Sequence, residues 1–358
     1  MIAASAVTCH AQVSFRILPG APWPSTVVRS MNADATVLAG LAPVGNDEQQ
    51  VFRWSAASGY ADLGLNAAGW TRSWLGGISA DGSTIAGGAM GPDHDIDAFL
   101  WTESSGLREL AAPDGVDYCQ ANGITPDGRV IVGSAAVDGH NVVVRWVDGQ
   151  FHNLGYAADR MPHAKGVSDD GSAIATSEHW DGNLQAGRWT EAGGFQVLGG
   201  LTTSGTSEAW QISGDGRTIV GLASVADGMN HAFAWTSESG MVDLGLLPGD
   251  LGSSVATAVS FDGSIIAGTS GWFTSNRAFL WTSATGLVDL REYLIDQGVA
   301  ELAGWQLLSV TDLSNDGRIL IGTASSDLGE LYQFVATIPS PTVAACGMAV
   351  FAFARRRR

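Results

Sequence analysis

The chain has 358 residues, and 18 Lys+Arg against 36 Asp+Glu give it a formal charge of −18. Such a balance argues against nucleic-acid or anionic-membrane partners, which need basic stripes. A hydrophobic share of 45% excludes disorder, and 47 glycines with 13 tryptophans and a single lysine, Lys165, point to many short strands joined by tight turns.

In chain order, residues 1–11 come first. They are small and apolar and end on Ala11, so they read as the remnant of a secretory signal peptide whose start lies upstream. Beyond them one pattern recurs seven times. Its first part is a hydrophobic–Ser–x–Asp–Gly step followed by an aliphatic alternation, as in Ile78-Ser79-Ala80-Asp81-Gly82 and Ile124-Thr125-Pro126-Asp127-Gly128. The step returns at Asp170-Gly171, Asp215-Gly216, Asp262-Gly263 and Asp316-Gly317, with a degenerate copy at Asp34-Ala35. Markers at Ala35, Gly82, Gly128, Gly171, Gly216, Gly263 and Gly317 are spaced by 47, 46, 43, 45, 47 and 54 residues. The second part is Ala-Phe-x-Trp-Thr, with Trp at 54, 101, 146, 189, 235 and 281 and Phe334 in the last copy. The third is Gly-x-x-Asp-Leu-Gly, clearest at Asp62-Leu63-Gly64 and Asp243-Leu244-Gly245.

Each part has a backbone meaning. Asp-Gly between alternating segments predicts a two-residue type I′ hairpin. The runs that follow are β-branched or aromatic and short, so each unit holds four antiparallel strands. Only Leu290–Leu302 suggests a helix. Repeats of this length predict an all-β, seven-bladed propeller over residues 12–337. The last unit lacks its final strand, and Phe15-Arg16-Ile17-Leu18 at the other end supplies an orphan one. It is expected to complete the seventh blade and so remove an exposed sheet edge. Leu75, Ala121, Ala164, Ala209, Ala256 and Val310, mostly small, mark the innermost strand. The recurring Trp lies two strands further out, where it packs between blades.

Catalytic chemistry is hard to find. The seven histidines form no metal-binding pair, and there is no nucleophile elbow, P-loop or dinucleotide fingerprint. The turn aspartates are explained by turn chemistry. Asp93, Asp95 and Asp97 alternate as a Ca²⁺ set would, without the Gly and distal Glu of an EF-hand loop; an acidic loop entering a strand is the favoured reading. No cofactor is implied. Trp70, Arg72 and Trp74 in an inter-blade segment, with Trp210 and Trp272 off the repeat position, are the candidate ligand-binding set. Exposed Trp stacks on sugar rings, against the alternative that each is buried between blades; Trp305 is also off the repeat position. The expectation is a monomeric, non-catalytic binding module. Its rivals are a polysaccharide hydrolase or lyase and a structural coat protein.

His231-Ala232-Phe233-Ala234-Trp235, with Met241-Val242-Asp243-Leu244-Gly245 and the Ser-x-Asp-Gly step, resembles the HAF-repeat family of extracellular proteins. The likeness extends to the last unit, through Leu294-Ile295-Asp296 and Gly304-Trp305. It is partial copy by copy: Asp97 and Arg277 replace the His in the second and sixth units, and the third and fourth lack the triplet. The family has no assigned catalytic residues, so none carries over. The Asp-Gly step is also similar to TolB-type and WD-like repeats, an analogy of fold alone.

Residues 338–358 close the chain. Pro339-Ser340-Pro341 leads into an apolar run, Val343–Ala354, and then Arg355, Arg356, Arg357 and Arg358. Twelve apolar residues are too few to span a bilayer comfortably. The segment resembles the PEP-CTERM sorting signal of Gram-negative bacteria, with Ser340 in place of its Glu. The resemblance implies export, transient membrane contact, removal of the tail by an exosortase, and an extracellular or cell-surface destination in exopolysaccharide-producing bacteria, with extracellular glycan as the candidate ligand. Loss of both ends would leave Cys119 alone, which excludes an intramolecular disulfide.

Overall fold

The computed structural model describes residues 13–20, 25–45, 48–91, 95–155, 162–180, 182–271 and 276–339. The segment beyond Pro339 that is expected to act as a sorting signal, the first twelve residues, Asp93 and Trp272 lie outside them.

Seven four-stranded antiparallel sheets form the blades of a propeller. From the axis outward, blade 1 is Val27–Met31, Val37–Gly45, Glu48–Ser55 and Gly59–Asp62, and blade 2 is Arg72–Ile78, Thr84–Met90, Ile96–Thr102 and Gly106–Glu109. Blade 3 is Val116–Ile124, Val130–Val137, His140–Val147 and Gln150–Asn153; blade 4 is His163–Val167, Ala173–Trp180, Asn183–Thr190 and Gly194–Gly199. Blade 5 is Ser207–Ile212, Ile219–Ser224, Asn230–Thr236 and Gly240–Gly245; blade 6 is Ser253–Val259, Ile266–Gly271, Arg277–Thr282 and Gly286–Asp289. Blade 7 takes Trp305–Leu313, Ile319–Ser326 and Leu331–Thr337 from the end of the chain and Ser14–Ile17 from its start. Phe15 pairs with Ala336 and Ile17 with Phe334, as the orphan strand predicts. Gln333 then ties the last blade to the first, because its side-chain oxygen accepts the buried Val28 N–H at 3.0 Å.

The apolar core is seven seams between neighbouring blades. Trp54, Trp146, Trp189 and Trp235 are buried in four of them, and Trp101 and Trp281 pack half-buried in two more. Phe334 fills the seam between blades 6 and 7. Arginines of the preceding blade lie over three of these rings, Arg16 on Trp54, Arg53 on Trp101 and Arg145 on Trp189. Serines bond across the seams, as where Ser73 accepts Val51 N–H at 2.8 Å and Ser254 accepts Ala232 N–H at 2.8 Å. In five blades a glycine of the second strand leaves room for the triplet's Phe: a β-carbon on Gly40, Gly87, Gly221, Gly268 or Gly322 would run into Phe52, Phe99, Phe233, Phe279 or Phe334. The long last spacing is a helix, α1 (Leu290–Asp296), capped by the Asp289 carboxylate, which accepts from Arg291 and Glu292 N–H. Its Leu290 and Leu294 extend the seam between blades 6 and 7.

The Ser-x-Asp-Gly step departs from the expected two-residue hairpin. Gly82 N–H bonds Ser79 O at 2.9 Å, and Ser79 N–H bonds Thr84 O at 2.9 Å, giving a four-residue connection. Only the glycine is left-handed; the preceding Asp is not. The Asp carboxylate instead accepts the Ser79 hydroxyl at 2.6 Å and Ser83 N–H at 2.9 Å, while the hydroxyl accepts Thr84 N–H at 3.0 Å. This side-chain network makes the wider loop the better solution. The hydroxyls of Ser79 and Thr125 also hold the Asp81 and Asp127 carboxyls below the usual range. Two-residue turns with positive φ at both positions do occur, at Asp138-Gly139 and Asp148-Gly149.

Candidate functional site: the axial funnel

The first strand of every blade runs along the axis, and consecutive first strands are neighbours around the whole ring. Ala121, Ala164, Ala209, Ala256 and Val310 are buried on these strands, facing the adjoining blade. A bulge follows each of them, as between Ala121 and Gly123 or Ala164 and Gly166. Strand alternation therefore turns the residues on either side toward the axis. In blades 2 to 5 the preceding residues are Trp74, Gln120, His163 and Glu208; those following in blades 3 to 5 are Asn122, Lys165 and Trp210.

Of these, Gln120, Asn122, His163 and Lys165 line a cavity of about 420 Å³ together with Leu75, Tyr118 and Ala164. Its polar groups are arranged in pairs. Tyr118 Oη donates to Gln120 Oε1 at 3.0 Å, and Asn122 Nδ2 donates to Ala164 O at 3.0 Å. Lys165 Nζ meets Glu208 Oε1 at 2.7 Å, with side chains about one-third and one-quarter exposed. Burial, helped by the Lys165 and His179 charges, lowers the His163 pKa, so the imidazole enters neutral conditions uncharged. Burial likewise raises the Tyr118 hydroxyl. The cavity thus offers neutral donors and acceptors beside one ion pair. That set suits a hydroxyl-rich ligand better than a strongly charged one.

The predicted aromatic set divides. Trp74 is half-buried on the first strand of blade 2, next to the lining residue Leu75, with the exposed Arg72 stacked over its ring at 5.4 Å. Trp210 lies on the blade 5 first strand and is 39% exposed. Trp70 instead packs half-buried on Phe99 in the seam between blades 1 and 2, at 6.1 Å between rings. Trp305 packs edge-on against Tyr332 at 5.1 Å. Sequence reasoning missed Tyr118, Gln120, Asn122, His163, Lys165 and Glu208. The available signal was their position beside Ala121, Ala164 and Ala209.

Of the cation candidates, Asp95 is exposed and Asp97 lies on the third strand of blade 2, with Glu109 on the strand beside it. Burial and the Asp97 charge raise the Glu109 carboxyl. In blades 5 and 6 the corresponding positions pair a carboxylate with a histidine or an arginine, His231 with Asp243 at 3.0 Å and Arg277 with Asp289 at 3.1 Å. Among the described residues no cluster of three potential metal ligands occurs. No helix of the described residues is long and apolar enough to cross a membrane.

Comparison with protein-family models finds no match, and neither does comparison with curated proteins. Solved structures do match. Oligogalacturonate lyase from Vibrio parahaemolyticus aligns at 10% identity over 91% of this chain and 97% of its own, with a TM-score of 0.55. Prolyl oligopeptidase B from Galerina marginata aligns at 10% identity over 85% of this chain and 47% of its own, with a TM-score of 0.57. TolB from Acinetobacter baumannii aligns at 12% identity over 88% of this chain, which spans 64% of that protein, with a TM-score of 0.47. At such identities the likeness is one of fold alone, and the class it defines is the β-propeller.

Proposed function

We propose that this chain is an exported propeller that binds extracellular polysaccharide in its axial funnel without transforming it. The supporting observation is the 420 Å³ cavity, whose neutral Tyr, Gln, Asn and His groups stand on first strands adjoining those of Trp74 and Trp210. Hydrogen-bonding side chains read hydroxyls, and indole faces stack on pyranose rings. The HAF-repeat likeness and the Pro339-to-Arg358 segment support an exported, exosortase-processed protein at the surface of an exopolysaccharide-producing cell. Glycan-array binding tests the reading. Trp74→Ala and Gln120→Ala should each weaken the signal about tenfold or more, a loss of about 1.4 kcal/mol for one stacking or hydrogen-bonding group. Silence on every glycan would end it.

One observation favours a second reading, a hydrolase or lyase acting on such a polymer. Neutral His163, able to act as a general base, stands on a first strand adjoining that of Glu208, whose carboxylate is held by Lys165. Release of new reducing ends or unsaturated products from a bound glycan, abolished in His163→Ala, would select it over binding alone.

A further inference from the structure

We infer that the funnel is blind, closed at its Asp-loop end by Asp169, Phe261 and Asn315, and therefore takes the end of a glycan chain rather than the middle of one. The inference rests on the glycan reading above and deepens it.

The first strands run from the cavity toward the Ser-x-Asp-Gly loops, so those loops encircle the far end of the axis. Their x residues interlock. Ala33 N–H bonds Ala80 O, Ala80 N–H bonds Pro126 O, Asp169 N–H bonds Gly214 O, and Phe261 N–H bonds Asn315 O, all at 2.8–2.9 Å. Pro126 has no N–H to pass the chain on to blade 4. What closes the mouth is a side-chain bond: Asn315 Nδ2 donates to Asp169 Oδ2 at 2.6 Å. These residues belong to blades 7 and 4, which are almost opposite each other in a ring of seven. Two nearly opposite blades can share a direct hydrogen bond only where the axis is occluded. The Phe261 ring of blade 6 fills more of the same space, since a β-carbon on Gly214 of blade 5 would strike both it and the Asp169 carboxylate. Burial raises the Asp169 carboxyl, while Asn315 and Phe261 keep one side exposed to solvent.

A linear polymer therefore has no exit through the ring. A chain that reaches Asn122, Lys165 and the Tyr118–Gln120 pair must enter terminus first, and a cavity of about 420 Å³ holds no more than a few sugar units. Recognition of chain ends follows: affinity belongs to the terminal residues, and binding to a polysaccharide scales with its number of ends.

The experiment uses the full chain and the polysaccharides that give signal on the array. Each is presented intact and after controlled acid hydrolysis to fragments of about ten sugars, at equal mass. Binding per unit mass should rise at least tenfold on hydrolysis, in step with the measured number of chain ends. Capping the non-reducing or the reducing termini chemically should abolish it for one of the two. Equal binding per mass before and after hydrolysis, or binding that survives both caps, overturns the inference while leaving the glycan reading intact. Absence of binding to any preparation overturns both. Gln120→Ala should weaken fragment and polymer binding by the same factor; loss of one without the other would also contradict a single terminal site.

Discussion

Phe15 is the best place to test whether the ring is held shut by its own N-terminus. The strand Ser14–Ile17 is the outermost of blade 7, and Phe15 carries most of its apolar surface: 7% exposed, packed on Phe334 at 5.8 Å between rings and part of the blade 6–7 seam. Truncating a buried Phe to Ala costs about 3–5 kcal/mol. An edge strand can relax into part of the space, so the lower end, about 3 kcal/mol, is expected for Phe15→Ala. For a ring of this size that lowers the melting temperature by about 4–5 °C. The pairing register permits a sharper test. Ser14 stands opposite Thr337, so an Asn-Gly type I′ turn can join the two directly. A circular permutant that begins at Ser25 and carries Ser14–Gly20 after Thr337 and that turn should melt within a few degrees of the parent. Phe15→Ala should cost the same in both. Deleting residues 1–18 instead should bare the edge of Leu331–Thr337 and give dimers or aggregates by size-exclusion chromatography. A cost below about 1 kcal/mol for Phe15→Ala, or a permutant that does not fold, would refute closure by this strand.

The same geometry makes further predictions about stability. Gly263→Ala combines a left-handed φ of 73° with a β-carbon driven into Thr218 Oγ1, and should cost at least about 2 kcal/mol; Gly139→Ala, at φ 76° with open space around it, should cost only about 1 kcal/mol. Equal denaturant midpoints for the two would remove the packing argument. Asp312 accepts Met31 N–H at 3.0 Å and Leu313 N–H at 2.8 Å between blades 7 and 1, and burial raises its pKa to about 6. Because the folded value lies above the unfolded 3.8, the folded state holds the extra proton between about pH 4 and 6. Stability from this group therefore falls as pH rises through that window, by at most about 3 kcal/mol. Asp312→Asn should flatten that fall in thermal melts at pH 4.5, 5.5 and 7; parallel profiles for parent and variant would contradict the assignment. The turn carboxyls act in the opposite sense, since Asp81 and Asp127 sit below their usual range, so their contribution is lost only as pH drops below about 4.

The ring was legible because its determinants repeat. Asp-Gly, the triplet's Trp and the Asp-Leu-Gly strand recur at nearly constant spacing, and the missing last strand could be matched to Phe15–Leu18. The turn type was misjudged because Asp-Gly alone does not distinguish a two-residue turn from a wider one. The serine two residues before Asp81 decides it, by giving the carboxylate a hydroxyl to accept. Trp70 and Trp74 are close in sequence, yet one lies before the first strand of blade 2 and packs into a seam while the other stands on that strand. The funnel was illegible for the opposite reason. Tyr118, Gln120, His163, Lys165 and Glu208 occupy positions where the repeat prescribes no residue type, so only their placement near the recurring Ala121, Ala164 and Ala209 marks them.

Blade 4 shows how far the repeat can bend without breaking the ring. Where five other blades set a second-strand glycine against a third-strand Phe, blade 4 has Thr176 against Gly187, and Glu178 where Ala42, Ala89, Ala135, Ala223 and Ala324 stand elsewhere. A β-carbon on Gly187 would meet Thr176 Oγ1 and Glu178 Oε1, so these two side chains take up the volume that the missing ring vacates. Both are buried. The exchange substitutes polar volume for aromatic volume beneath the very strand that carries His163 and Lys165. An apolar Phe at this point would pack better by the logic of the other seams. Blade 3, where Val144 stands opposite Gly133, also lacks the ring, and blades 3 and 4 are the two that contribute the cavity's polar lining, so the relaxation of the repeat and the chemistry of the site share one sector of the ring.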